Sequence, residues 1–171
     1  MKSGEYRKAV FVLPYAKTKK RIEYLLLRRK LHWRGWEFSK GKIELGERKE
    51  QTARRELREE TGHRAIKIKK FNFSGRYRYH KKFPDRPGFI GQTFSLYAAQ
   101  VKKGKVSLDK KEHNGHRWVD FSKAIKMLKF PNQKNRFRLK QSTKSPLLKF
   151  AHLDNRHALK TPSNRKYQKS F

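Results

Sequence analysis

Two short apolar runs, bounded by polar residues, predict β-strands in the first part of the chain. Apolar runs at 9–13 and 22–27 are rich in β-branched, aromatic and leucine residues, which favour strands. A lysine-rich segment at 17–20 separates the two runs and is typical of an exposed turn. The two predicted strands can therefore form a hairpin.

A helix is predicted at 49–61, where nearly all residues are strong helix formers. Ala53 and Leu57 are spaced i, i+4 and share one face, and Gly62 stands where a helix C-terminus is expected. Beyond the helix, aromatic and β-branched residues predict further strands at 65–73, 75–80, 92–101 and 117–119. The pattern as a whole indicates a mixed α/β domain.

Two helical segments are expected to finish this domain. Ser122 is the expected N-cap of a helix at 123–128, Pro131 ends that segment, and a second helical stretch is expected near 132–141. With 171 residues, of which 35% are hydrophobic, the chain can bury one ordinary core. We therefore expect a single domain over 1–141.

The rest of the chain, 142–171, reads as a basic extension. Between 122 and 171 there are 14 Lys or Arg residues and one acid, Asp154. We expect 142–171 to be mobile without a polyanion. The chain has no cysteine, and no segment has the pattern of a secretion signal or a membrane span, so we expect a soluble cytoplasmic protein.

The net charge bears on the partners of the protein. The chain has 47 Lys or Arg residues against 14 acids, a formal charge of +33. Such a chain attracts polyanions and is expected to bind RNA or DNA independently of sequence, and RNA is a candidate partner of the basic surface. The alternative is a basic bias shared by all proteins of the source organism.

Six of the 14 acids nevertheless crowd into one short segment, namely Glu44, Glu47, Glu50, Glu56, Glu59 and Glu60. On a helix the last three share one side, because they are related by i, i+3 and i+4. Carboxylates held this close raise one another's pKa unless a cation neutralises them. Mg²⁺ and Mn²⁺ are hard ions that prefer such oxygen ligands. The alternative is an exposed acidic face paired with nearby Lys and Arg.

The spacing of the fixed positions is more specific than the charge. Gly41 is followed after five residues by Glu47, after seven more by Arg55-Glu56-Leu57, and then by Glu59-Glu60 and Gly62. This pattern resembles the Nudix box, the loop-helix-loop signature of Nudix hydrolases. The last position departs from it, since His63 stands where the family usually has an aliphatic residue. The resemblance implies an α/β/α sandwich with a mixed β-sheet and a metal-dependent pyrophosphohydrolase.

The resemblance also implies roles for single residues. The implied metal ligands are the carboxylates of Glu56, Glu59 and Glu60 and the backbone carbonyl of Gly41. Glu59, Arg55 and Glu47 are the implied catalytic residues within the box. By the resemblance, Arg55 orients a glutamate through a salt bridge, and Glu47 receives that salt bridge or binds a further metal through water.

Segments outside the box narrow the comparison. Residues 35–41, Gly-Trp-Glu-Phe-Ser-Lys-Gly, are similar to the Trp-x-Phe-Pro-Lys-Gly segment of dinucleoside polyphosphate hydrolases and RNA 5′-pyrophosphohydrolases, with Ser39 replacing proline. This implies that Lys40 holds a phosphate, unless it is simply a solvated lysine. The segments at 91–94 and 112–119 are similar to segments of the same two groups of enzymes. This similarity implies that Gln92 touches phosphate and that Glu112 is a further metal ligand or general base. The alternative for Glu112 is an ion pair with its basic neighbours.

Aromatic residues are candidates for base recognition. A purine stacked on Tyr77 or Tyr79 would gain about 1–3 kcal/mol, although most such rings belong to a core. The resemblance implies cleavage of a dinucleoside polyphosphate, such as diadenosine tetraphosphate, or of the 5′-triphosphate end of RNA. The alternatives are a nucleoside triphosphate or sugar-nucleotide Nudix hydrolase, and a non-enzymatic RNA-binding protein that keeps the fold.

Overall fold

The computed structural model describes residues 4–129. The strands are β1 (Glu5–Lys17), β2 (Ile22–Arg29), β3 (Gly35–Glu37), β4 (Ser39–Lys42), β5 (Lys67–Arg78), β6 (Phe89–Gln100) and β7 (His113–Val119). The helices are α1 (Lys49–Thr61) and α2 (Phe121–Met127). No helix within 4–129 is long and apolar enough to cross a membrane. The helix expected at 132–141 and the basic extension at 142–171 lie outside the described residues.

Strand β1 is the centre of a mixed sheet. Along one edge it pairs in parallel with β6, which in turn pairs antiparallel with β5. The other edge is divided, because positions 15–17 pair with β2 and positions 9–12 pair with β4. Strands β3 and β7 both pair with β2. The division matters because it brings the short strand β4 next to α1.

The two helices cover opposite faces of this sheet. Val10 and Val12 pack with Ala53 and Leu57 of α1. Leu13 and Tyr15 point to the other side, because side chains alternate along a strand, and they pack in the cluster that contains Ala124 and Ile125 of α2. The predicted α/β/α sandwich with a mixed sheet is confirmed.

Helix α1 has the predicted bounds, and its end has a clear cause. Gly62 adopts a left-handed conformation with φ 74°, which glycine tolerates without a Cβ clash. Its N–H donates to the carbonyl of Arg58 at 2.8 Å, as in an ordinary C-cap. The predicted hairpin of β1 and β2 is also confirmed, with Lys17 opposite Ile22.

Three details of the prediction are wrong. The strands expected at 65–73 and 75–80 form one strand, β5, because an irregularity in register between Lys70 and Ser74 bends the ladder without ending it. Ser122 is not the N-cap of α2, since the carboxylate of Asp120 accepts the N–H of Lys123 at 2.9 Å. The closing strand expected at 117–119 begins earlier, at His113.

Candidate active site

The carboxylates of α1 meet strand β4 at a close approach. Glu56 and Glu60 are buried, and the Glu59 side chain is about half exposed. A Cβ at Gly41 would lie 1.8 Å from the Glu56 carboxylate, so any larger residue there would displace that carboxylate. The N–H of Lys40 donates to Oε2 of Glu60 at 2.9 Å. Strand β4 thus holds two of the three predicted carboxylate ligands against its backbone.

The buried carboxylates carry a cost that a cation would relieve. Burial raises the pKa of Glu60 well above its ordinary value, against the lowering effect of Lys40, and the charges of Glu37 and Glu56 add to the rise. Burial also raises the pKa of Glu56, although Arg55 opposes the shift. This crowding of oxygen donors fits a hard divalent ion.

Arg55 joins the carboxylates of the predicted box. Its guanidinium donates to Glu47 at 2.8 and 3.0 Å, to Glu56 at 2.7 Å and to Glu59 at 3.0 Å. It also donates to the carbonyl of Lys42 at 2.9 Å, which ties the helix to the end of β4. The hydrogen bonds from Arg55 lower the pKa of Glu47 to about 2, although partial burial opposes the shift.

Glu112 comes from the other end of the described chain. It immediately precedes β7, and its ion-pair partner is Arg29 of β2, at 2.6 Å, instead of an adjacent lysine. Ligand atoms of Glu60, Glu112 and His113 lie within 4.8 Å of one another, close enough to hold one metal ion. Of these three, the sequence analysis named Glu60 and Glu112 but did not place His113 at the metal site.

A buried ion network lies behind these groups, and its centre, Glu37, was missed by the sequence analysis. The Glu37 side chain is 0% exposed. It accepts from Arg29 at 2.9 Å, from the ring of His113 at 3.3 Å and from the ammonium of Lys40. Burial raises the pKa of Glu37, but Lys40, His113 and Arg29 together lower it to about 2, so the group is ionised. The available signal was one acid between Trp36 and Phe38.

These groups open into a cleft of about 490 Å³. The predicted site residues that line it are Lys40, Gly41, Glu56, Glu59, Glu60, Gln92 and Glu112. Arg7 and Arg86 also line the cleft, and neither was predicted from the sequence. The structure therefore places most predicted residues in one cavity, with acids and cations on its wall.

The remaining predicted residues stand behind the cleft wall. Glu47 and Arg55 lie behind the carboxylates of α1 and do not line the cavity. Tyr77 and Tyr79 do not line it either, and their rings pack edge to face, 6.0 Å apart. Gln92, which does line it, accepts from the Tyr79 hydroxyl at 3.3 Å. Tyr79 therefore reaches the cleft through Gln92.

A mixed sheet between two helices, with a glutamate-bearing helix at a polar cleft, defines an α/β protein of the Nudix type. The sequence matches the NUDIX domain family over residues 5–141, and the chain belongs to this family. The protein is thus a hydrolase acting on phosphoanhydride bonds, as predicted. A comparison of the sequence with curated proteins finds no match.

Solved structures with this fold come from several organisms. A Caenorhabditis elegans Ap4A hydrolase in a binary complex is 24% identical, with a TM-score of 0.63 over 77% of this chain and 93% of that one. A MutT protein of Methanosarcina mazei Go1 is 21% identical, with a TM-score of 0.64 over 82% and 99%. The Escherichia coli dihydroneopterin triphosphate pyrophosphohydrolase is 20% identical, with a TM-score of 0.62 over 78% and 94%. At these identities the likeness concerns the fold.

Proposed function

We propose that this protein is a metal-dependent pyrophosphohydrolase that cleaves a phosphoanhydride bond in a nucleoside polyphosphate. The observation that carries the proposal is that acidic and basic side chains line one and the same cleft. Glu56, Glu60 and Glu112 supply clustered oxygen ligands, and Arg7 and Arg86 line the same cavity. Hydrolysis of a polyphosphate needs both kinds of group. Cations offset the negative charge of the substrate, and carboxylates can hold the ion that activates the nucleophile attacking phosphorus.

We assign metal binding and the orientation of the metal ligands to different residues. Glu56, Glu59, Glu60 and the carbonyl of Gly41 would hold Mg²⁺ or Mn²⁺, with Glu112 on the facing loop. When bound there, the ion would supply a water of lowered pKa and would neutralise charge on the phosphate. Arg55 orients the helix carboxylates, and Glu47 orients Arg55 through two hydrogen bonds.

The substrate that we favour is a dinucleoside polyphosphate of the diadenosine tetraphosphate type or the 5′-triphosphate end of RNA. Both present a phosphate chain attached to a nucleoside. Lys40, Gln92 and Arg86 line the cleft, which supports a role for them in holding that chain. The likeness to an Ap4A hydrolase supports the first substrate, and the +33 charge supports the second. A nucleoside triphosphate is the second candidate, supported by the likeness to a MutT protein.

A matched pair of helix variants tests the proposal. Glu59 and Glu50 both lie on α1 with similarly exposed side chains, 52% and 55%, and both pair with an arginine. Glu59→Gln should reduce Mg²⁺-dependent hydrolysis by at least about 100-fold, the range expected when a group of the reacting centre is lost. Glu50→Gln should stay within about twofold of the wild type. Equal rates for the two variants would remove the metal-site assignment.

The substrate is decided by one comparative assay. Diadenosine tetraphosphate, triphosphorylated RNA and a set of nucleoside triphosphates should be compared at equal concentration with Mg²⁺ and with Mn²⁺. We expect one of the first two to have the highest kcat/KM. A clear preference for a nucleoside triphosphate would replace the favoured substrate with the second candidate. For the helix variants of the preceding test, isothermal titration with Mn²⁺ alone distinguishes a loss of metal binding from a loss of catalytic rate.

A further inference from the structure

The sheet carries a second polar surface on the side opposite to Arg7 and Gln92, two strand residues that line the cleft. Side chains alternate across a strand, so neighbouring residues of β1 and β6 point to opposite sides. Arg7 and Gln92 are in register and line the cleft. The next positions along the strands, Lys8 and Thr93, are also in register, and Arg76 of β5 stands beside Thr93. These three residues therefore face the opposite side.

This surface, which we call the basic face, consists of Tyr6, Lys8, Arg76, Arg78 and Thr93. It has two rows across three strands, one running from Lys8 through Thr93 to Arg76 and one from Tyr6 to Arg78. Lys8, Arg76 and Arg78 are exposed. The guanidinium of Arg76 lies 5.1 Å from the centre of the Tyr6 ring. Neither row contains an acid.

The position of the Tyr6 ring depends on a glycine in the neighbouring strand. The residue of β6 between Tyr6 and Arg78 is Gly91, where a Cβ would lie 2.6 Å from the Tyr6 ring. The missing side chain lets the ring lie against the sheet. Helix α1 covers the other half of the same sheet side, where Val10 and Val12 pack beneath it. The helix thus leaves the half with the cations open.

We propose that the basic face binds single-stranded RNA, whichever nucleotide the cleft hydrolyses. Adjacent strands are about 4.8 Å apart and same-side residues in one strand about 6.7 Å apart, so the face covers roughly 10 by 7 Å. That area suits two or three nucleotides of a single strand and is too small to follow both strands of a duplex. Its cations meet phosphates, and the guanidinium of Arg76, held over the Tyr6 ring, offers a plane to an unpaired base.

The test is fluorescence anisotropy on the full chain. The probe is a labelled RNA of roughly 12 nucleotides with a 5′-hydroxyl, which gives the cleft no polyphosphate, titrated between about 50 and 200 mM salt. Arg76→Gln with Arg78→Gln should weaken binding about tenfold and reduce the salt slope by up to about 1.4, since each lost contact to a single strand contributes about 0.7. The matched control replaces Lys102 and Lys105 by Gln. Both lysines are exposed and follow the C-terminal end of β6, whereas the basic face lies near its N-terminal end. That variant loses the same charge and should bind within about twofold of the wild type.

A second pair of variants separates the ring from the charge. Tyr6→Phe keeps the ring beneath Arg76 and should bind as the wild type does, whereas Tyr6→Leu removes it and should weaken binding severalfold. Thermal unfolding checks that each variant is folded. Two results would overturn the proposal. One is an equal loss of affinity in the Arg76 and Arg78 variant and in the Lys102 and Lys105 control. The other is tighter binding of the protein to duplex RNA or to phosphatidylserine vesicles than to single-stranded RNA. Because no hydrolysis is measured, this result stands apart from the outcome for the proposed function.

Discussion

Replacement of Glu37 by Gln tests whether the buried ion network supports the fold. The change removes one negative charge and keeps the shape of the side chain. Glu37 accepts from Arg29 at 2.9 Å and from Lys40 and His113, and its side chain is 0% exposed. Its loss leaves the Lys40 ammonium, whose side chain is 12% exposed, without its closest carboxylate.

The expected magnitude follows from the partners that remain. Removing one member of a buried ion pair costs about 3–5 kcal/mol, because the other charge stays buried and uncompensated. Arg29 keeps Glu112 at 2.6 Å and the carbonyl of Leu31 at 2.8 Å, so the loss should be at the lower end, about 3 kcal/mol. For a domain of this size, that corresponds to a fall in Tm of about 6–12 °C.

Glu50→Gln is the matched control, measured by urea unfolding beside Glu37→Gln. Glu50 also pairs with an arginine at 2.9 Å, Arg54, but its side chain is 55% exposed. Exposed pairs of this kind contribute about 0.3–0.5 kcal/mol, so the control should be nearly neutral. The carboxylate–guanidinium distance is the same in the two pairs, whereas Glu37 is buried and also accepts from Lys40 and His113. Similar losses of unfolding free energy in both variants would refute the reasoning.

Two further predictions concern single carboxylates. Glu112→Ala should lower kcat about 10–100-fold with little change in KM, because Glu112 faces the reacting centre more than the bound nucleotide; steady-state kinetics checks this, and an effect within about twofold would make Glu112 a bystander. Hydrogen bonds from Arg55 lower the pKa of Glu47 from 4.5 to about 2, so the ionised group stabilises the fold above pH 4.5 and its contribution is lost as the pH falls toward 2. The difference in unfolding free energy between wild type and Glu47→Gln should shrink through that window, and a constant difference would contradict the assignment.

The helix of the candidate site could be predicted because its causes are local. Strong helix formers and a glycine that can adopt a left-handed conformation define α1, and the i, i+4 spacing places Glu56 and Glu60 together whatever surrounds them. The loop position of Glu112 came from a resemblance and not from physical reasoning. Its place beside Glu60 depends on how β7 pairs with β2, which no local pattern contains.

The buried network could not be predicted for the same reason. Glu37 and His113 are 76 residues apart in the chain, and they meet because β3 and β7 pair with opposite edges of β2. Strands β3 and β4 have three and four residues, too few for a pattern of alternation to be visible. A sequence shows that an acid lies among aromatic residues, but not which cations will surround it.

The net charge and the carboxylate cluster act over different distances. Charges farther apart than about 8 Å are largely screened at physiological salt, so a formal charge of +33 cannot lower the cost of holding Glu56 and Glu60 together. Their pKa values are raised in spite of that charge, because burial and neighbouring acids act within a few ångströms. Nearby cations such as Arg55 and Lys40, together with the divalent ion that we propose, must therefore balance the site. The expected effect of the wider positive charge is on association, because such a charge raises the rate constant for encounter with polyanions.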